Sequence, residues 1–376
     1  MELTVTKQDL SKALSATQSV VEKKTTMPIL SNVLISATDK QLRIASTDYE
    51  ITMLLRVKAN VHSTGSTTVN ARVFTDIVRE LPDGEVKLKL TEGERLEISA
   101  KNSKFKMVGV SAEEYPSLPG IAAEVTGRVE AKQLHEMINK TLYAVSQDET
   151  RFNLNGVCFE LAQDGAAKKK GSNLRMVATD GHRLAMITRP VENLSFAERI
   201  IVPKKGLAEI RKVIDTATDR PVGMDVKDGF LLIETEDAKI SMRLIDGEFP
   251  DYNQVLPAKA GTLAVTQSSE LAQALRRVAL MVTDKAKGVR LDFSKSGLKI
   301  SSSSPELGEA RESLDVKYDG PDLSVGFNAR YLLEMAQSLD ESQTLVMALT
   351  GELGAAKFYA EGDESYIGVV MPMRLT

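Results

Sequence analysis

Lys7-Gln-Asp-Leu10-Ser-Lys-Ala13-Leu14-Ser-Ala-Thr17-Gln-Ser-Val-Val21 carries Leu10, Ala13, Leu14, Thr17 and Val21 at helical spacing, so these residues share one face of a helix. The template returns twice, as Leu134, Met137, Ile138, Thr141 and Val145 and as Leu271, Ala274, Leu275, Val278 and Val282. A second helical pattern follows each copy: Phe74, Ile77, Val78, Leu81, then Leu207, Ile210, Arg211, Ile214, then Leu332, Met335, Ala336, Leu339. An apolar strand residue (Val69, Val202, Phe327) sits five places before each of these helices' first apolar position, and a cation (Arg72, Lys205, Arg330) two places before it. Packing explains a repeated apolar residue but not a charge held at one register. The chain is a triplication, and the repeated cation is the first sign of what it faces.

Its 376 residues divide into three repeats of ordinary domain size. With 42% hydrophobic and 27% charged residues it reads as a globular chain with ample core material, and its net charge of −4 excludes a polycation. The single cysteine, Cys158, excludes an internal disulfide framework, fits a reducing compartment, and reads as a small buried hydrophobe. No leader-like segment opens the chain and no apolar run reaches membrane-spanning length, so a cytoplasmic protein is expected.

Within repeat one, strands are expected at Glu2–Val5, Asn32–Ala37, Gln41–Ala45, Ile51–Val57, Val86–Leu90, Arg95–Ser99 and Lys104–Val110, with Thr6 and Asp9 capping the first helix. The second helix, from Arg72 to Leu81, stops at Pro82-Asp83-Gly84. Each repeat is therefore doubled internally, a strand and helix followed by three strands, twice over. Proline-rich linkers at Glu114–Gly120 and Glu248–Gly261 give domains 1–122, 123–255 and 256–376. An insertion at Gln163–Asn173 holds Lys168, Lys169 and Lys170; a solvated hairpin loop and a loop touching a polyanion both remain open. The fold class is α+β, three similar domains, each with two helices packed on antiparallel strands.

With one helix face buried on a sheet, the other faces whatever the array surrounds. Lys12, Arg79, Lys140, Arg211, Lys212, Arg276 and Arg277 are assigned there with the three register cations. An excess of cations on an otherwise acidic chain suits contact with phosphates. No aromatic residues interleave with these cations, so base reading is not expected. Six helices in a closed circle leave a hole of under ~10 Å, too small for a duplex, whereas twelve leave about 25 Å. One chain is then half a ring. Its ends differ in sign: Lys101, Lys104, Phe105 and Lys106 at one, Glu306, Glu309 and Glu312 at the other with Leu280 and Met281. Head-to-tail pairing by a two-fold axis uses such ends.

The repeats diverge at one turn. Ala45-Ser-Thr-Asp48 matches Val177-Ala-Thr-Asp180, where Thr-Asp reads as a side-chain-bonded turn; then Tyr49-Glu-Ile parts from Gly181-His-Arg-Leu-Ala185. A freed backbone, two polar residues and Leu184 suit a groove for a peptide. Against an enzyme using Asp180 and His182 stands the lack of a nucleophile elbow, a P-loop, a His-Glu-x-x-His pattern or enough His and Cys for a metal. No cofactor is called for.

Ala178-Thr-Asp-Gly-His-Arg-Leu-Ala185, Phe249-Pro-Asp-Tyr252 with Val255-Leu-Pro257, Gly326-Phe-Asn328 and Val369-Val-Met-Pro-Met-Arg-Leu375 together resemble the bacterial sliding clamps, the beta subunits of DNA polymerase III, in order along the whole chain. The resemblance implies a non-catalytic homodimeric ring of three similar domains per chain, helices lining the inside, threaded by double-stranded DNA. Its implied partners are the polymerase alpha subunit, an ATP-driven clamp loader and other proteins bearing a clamp-binding motif.

It further implies a partner-peptide pocket on repeats two and three, walled by Leu154, Thr179, Gly181, His182, Arg183, Leu184, Pro250, Val255, Leu353, Val369 and Met371. Pro372, Met373 and Arg374 border it, with Arg151, Asn328 and Tyr331 at the rim. Lys24, Arg72 and Lys205 match places where the family touches DNA, and Phe105, Leu280 and Met281 places where its subunits meet. Asn153 stands where relatives often carry an aromatic residue, and the Gln163–Asn173 insertion departs from the family pattern.

Overall fold

The computed structural model describes residues 1–21, 26–38, 41–162, 173–196, 199–214, 220–257, 261–283 and 288–374. Lys24 and positions 163–172 of the basic insertion lie outside the described residues. Six α-helices occur among them: α1 (Lys7–Gln18), α2 (Ala71–Glu80), α3 (Ala131–Leu142), α4 (Lys204–Val213), α5 (Ser268–Val278) and α6 (Ala329–Gln337). They are the two predicted helices of each repeat.

The template residues do what their spacing requires. Leu10, Leu14, Leu134, Met137, Ile138, Leu271 and Leu275 are buried, as are Phe74, Val78, Leu207, Ile210, Leu332 and Met335 on the second helices. Buried Thr17 and Thr141 return their hydroxyls to the carbonyls of Ala13 (2.9 Å) and Met137 (2.7 Å), so a polar residue fits an apolar stripe at no hydrogen-bonding cost. The fifth template position falls beyond the helix end in every repeat, and in repeat one Val20 rather than Val21 is fully buried. Periodicity loses its phase once the helix stops. Thr6 caps α1 by accepting from the Asp9 amide at 3.1 Å; Asn70 and Asn328 cap α2 and α6 through the amides of Val73 and Arg330, both at 3.0 Å.

Every strand pairing is antiparallel, and the described residues form two compact units. The first comprises Met1–His135, Val191–Ala197 and Lys205–Leu244; the second comprises Glu136–Pro190, Glu198–Lys204 and Ile245–Thr376.

In the first unit an eight-stranded sheet runs Gly127–Glu130, Pro221–Lys227, Phe230–Glu234, Ala238–Arg243, Ile51–Lys58, Gln41–Thr47, Asn32–Thr38, Gly65–Asn70. Its middle is a joint between repeats: Ala238 faces Leu55, Ile240 faces Met53 and Met242 faces Ile51. The second unit repeats the device in a nine-stranded sheet, where Arg183 faces Val370, Ala185 faces Gly368 and Ile187 faces Tyr366. A five-stranded sheet in the first unit ends on Ser103–Val108, and a four-stranded sheet in the second ends on Gly308–Leu314. Among the described residues, each of these end strands has one ladder partner.

Strands at Asn60–Ser63 and Gly65–Asn70 were not among those expected; only Val69 pointed to the second. Lys140 corrects an assignment to the exposed helix face: it is buried, paired with Glu136 at 2.7 Å, with its ammonium 5.2 Å from the centre of the Tyr366 ring.

Candidate functional site

In the second unit, one turn and one buried cluster meet. Asp180 organises the turn: its Oδ1 accepts from the amides of His182 (2.9 Å) and Arg183 (3.1 Å), and Thr179 Oγ1 accepts from the Gly181 amide at 3.1 Å. Gly181 has φ 89°, a left-handed conformation that glycine adopts without strain, and a Cβ there would stand 3.0 Å from Arg151 Nη1. The turn of repeat one is the same construction. Asp48 Oδ1 accepts from Glu50 (3.0 Å) and Ile51 (2.6 Å), and Thr47 Oγ1 accepts from Tyr49 (3.1 Å). The Thr-Asp pair is structural in both copies.

Behind the turn, Leu154, Leu184 and Val369 pack with Cys158, Val177, Ile201, Phe249 and Tyr252 into one buried apolar cluster, flanked by Ile245, Leu256 and Ala355. The sequence assigned three of these residues, Leu154, Leu184 and Val369, to the walls of a partner pocket. Val255, Leu353, Met371 and Met373, assigned to the same pocket, are exposed, Leu353 at 67%. Main-chain bonds fix their positions: the Met371 amide donates to His182 O at 2.9 Å and the Met373 amide to Gly326 O at 2.8 Å. Exposed apolar side chains in segments that adjoin a buried apolar cluster are the kind of surface that a docking segment buries.

The polar residues assigned to the cleft take different parts. Thr179 is half-buried; Gly181, His182, Pro250 and Arg374 are exposed and Pro372 half-buried. His182 lies over Tyr331, ring centres 6.3 Å apart. Arg183 is 4% exposed, so its guanidinium shapes the turn from inside. Asn328 is the cap of α6. Asn153 donates to Glu248 O at 2.9 Å, holding the floor to the following linker.

Sequence reasoning left out Phe152, 58% exposed beside the cleft and lying over Gly247, where a Cβ would come 3.2 Å from its ring. It also left out Val177, Ile201, Phe249 and Tyr252 of the buried cluster. Tyr252 is anchored by Glu160, whose two oxygens lie 3.1 Å from its hydroxyl, by Arg175 at 3.2 Å, and by Arg199 over its ring. The Phe249–Tyr252 motif was the available signal. Cys158 is wholly buried, and burial pushes its thiol up to about 12.

The register cations share one local address. Arg72, Lys205 and Arg330 are each the second residue of their helix. A cation in the first turn opposes the helix dipole, at a cost of about 0.3–1 kcal/mol. Each has a carboxylate nearby: Arg72 with Asp76 at 4.0 Å, Lys205 with Asp48 at 2.5 Å, Arg330 with Glu334 at 3.3 Å. All three remain open to water, Arg72 at 80% and Arg330 at 60% by side chain.

On the open end strands, Lys104 and Phe105 are exposed, as is Val108; Glu306, Leu307 and Glu309 are exposed beside the other. Leu280 is 74% exposed and Met281 half-buried at the end of the short 3-10 turn after α5. Part of the acidic charge is neutralised locally, since Arg277 binds Glu312 through two bonds of 2.7 and 3.0 Å and Arg311 pairs with Glu309 at 3.0 Å.

Three family models match in chain order: the DNA polymerase III beta subunit N-terminal domain over residues 1–119, its central domain over 128–251 and its C-terminal domain over 253–374. The beta sliding clamps of Escherichia coli (strain K12) and Vibrio cholerae are 34% and 33% identical to this chain, with all of each chain covered. Among solved structures, the beta subunit of Pseudomonas aeruginosa superposes with a TM-score of 0.89 at 32% identity, and the sliding clamp of Bacillus subtilis with 0.91 at 25%, again over the full length of both. The chain belongs to the DNA polymerase III beta subunit family, the beta sliding clamps.

Proposed function

We propose that two copies of this chain close head-to-tail into a ring around duplex DNA and tether the replicative polymerase to it, with no catalysis of their own. Each copy contributes domains 1–122, 123–255 and 256–376. The observation that carries the DNA part is the cation at the second position of a helix in all three repeats, set against the helix dipole and unexplained by packing. Their contacts would be to phosphates, without base reading, and Lys24 joins them by family resemblance. The open strands Ser103–Val108 and Gly308–Leu314 supply the two halves of a closing joint, basic and apolar against acidic, with Phe105, Leu280 and Met281 at its apolar centre.

The cleft of Leu154, Leu184, Val369 and their exposed neighbours takes a short peptide from each partner: the polymerase alpha subunit, the clamp loader and other clamp-binding proteins. Apolar side chains bury the partner's leucine or phenylalanine, and Gly181, His182 and Tyr331 set its orientation. The decisive experiment is topological. Protein loaded on nicked circular plasmid is expected to stay bound through gel filtration and to be lost when the circle is linearised. Equal retention on circle and line means surface binding and ends the proposal.

A further inference from the structure

Arg183 is a buried cation, and its partners decide whether the turn beside the cleft keeps its shape. Its Nε donates to Asp180 Oδ2 at 3.0 Å, its Nη2 to the Tyr143 carbonyl at 2.6 Å, and its Nη1 to Glu334 Oε2. The guanidinium lies 4.4 Å from the centre of the Tyr331 ring and 5.2 Å from that of Tyr143. A buried charge needs full compensation. Asp180 divides its carboxylate, since its other oxygen already takes the amides of His182 and Arg183. Glu334, on α6 and outside every residue assigned to the cleft, supplies the second anion.

Glu334 is itself shared. Its Oε1 faces the exposed Arg330 at 3.3 Å, and Lys204 lies within the same field, its ammonium held below the usual lysine range by burial and by Arg183 and Arg330. One carboxylate thus serves a cation sealed under the turn and a cation open to water. Any phosphate that engages Arg330 withdraws a competitor and leaves more of the Glu334 charge on Arg183. The turn that Arg183 holds is tied to the cleft wall by the Met371–His182 main-chain bond and by Thr179 Oγ1, which donates to the Arg183 carbonyl at 2.6 Å.

We propose that Glu334 is a positioning residue for the partner cleft, acting through Arg183, and that its shared bond to Arg330 makes partner affinity rise when phosphate occupies the α6 N-terminal turn. This rests on the peptide-binding reading above. It places a coupling between the two binding functions in three side chains of the second unit.

The test is a double-mutant cycle on the full-length protein, read by titration with a short fluorescent peptide that carries a leucine and a phenylalanine. Glu334→Gln is expected to weaken the peptide about tenfold, and Arg330→Ala to strengthen it about fivefold, the range of ordinary coupling energies. In the Glu334→Gln background, Arg330→Ala is expected to do nothing, and Glu334→Asp is expected to recover part of the loss. A short DNA duplex at low salt should tighten peptide binding by the wild type and not by Glu334→Gln. A purely structural Glu334 gives the first loss without the opposite, background-dependent effect of Arg330→Ala. That outcome, or an Arg330→Ala effect equal in both backgrounds, overturns the proposal while leaving the cleft intact. A wild type that binds no peptide removes the cleft reading itself, and this one with it.

Discussion

Gly181 and Tyr49 hold the same place in two copies of one turn, with φ of 89° and 71°. Tyrosine there bears about 1–2 kcal/mol of steric strain that glycine does not. Relieved of a side chain, the second copy lets Arg151 come close to where a Cβ would stand. Floor and wall of the proposed cleft separate by experiment. Leu353→Ala, at an exposed wall position, is expected to cost about 1–3 kcal/mol of peptide affinity with the melting temperature unchanged. Leu184→Ala, in the buried floor, is expected to lose that affinity and also about 2–5 kcal/mol of stability. Peptide titration with calorimetry checks both; a titration blind to Leu353→Ala removes Leu353 from the pocket wall. Cys158 under the floor supplies a pH signature. Its folded pKa of about 12 stands above an unfolded value of ~8.5, so its contribution is fully present below ~8.5 and is lost as pH rises towards 12. Urea midpoints measured from pH 8 to 10 should therefore fall more steeply for the wild type than for Cys158→Ala.

Among the elements, the short helices α2, α4 and α6 combine a buried stripe with a cation in the wrong half of the dipole. Arg72→Gln on α2 removes the charge opposed to the dipole and a long, exposed contact to Asp76, two small terms of opposite sign. Stability should move by no more than about 0.5 kcal/mol, while retention on nicked circles should weaken at low salt and fall less steeply as salt rises. Retention indistinguishable from wild type across a salt series would remove Arg72 from the DNA face. The helices themselves were legible because 3.6-residue periodicity survives any tertiary context. Lys140 was not: it is four residues from Glu136 on α3, and only the tertiary approach of the Tyr366 ring and Arg189 turns that exposed-looking face inward.

At the scale of the whole molecule, enclosure requires two chains. Sedimentation should give twice the chain mass, and Phe105→Arg, which places a charge on an exposed edge strand that is already basic, should shift the equilibrium to single chains. A wild type that sediments as a single chain at working concentration would defeat the ring. The turn stood out in the sequence because its residues depart from their own repeat, and the proposal of a peptide groove starts from that departure. Most of the floor did not. Phe249 and Tyr252 come from the linker after repeat two, Ile201 from the strand before α4 and Val369 from the last strand, and no local pattern ties these segments together.

The amino-acid sequence by itself determined the triplication, the buried face of each helix, the register of the three cations and the Thr-Asp turn, because each depends on spacing along one segment. Tertiary structure alone decided which strands share a sheet: those of repeat one's first half join those of repeat two's second half, and the same exchange seats Arg183 opposite Val370. The physical reason is that every strand edge offers the same amide donors and carbonyl acceptors. A period-two pattern states which face of a strand is buried, and it leaves the neighbour to be chosen by the packing of the assembled chain.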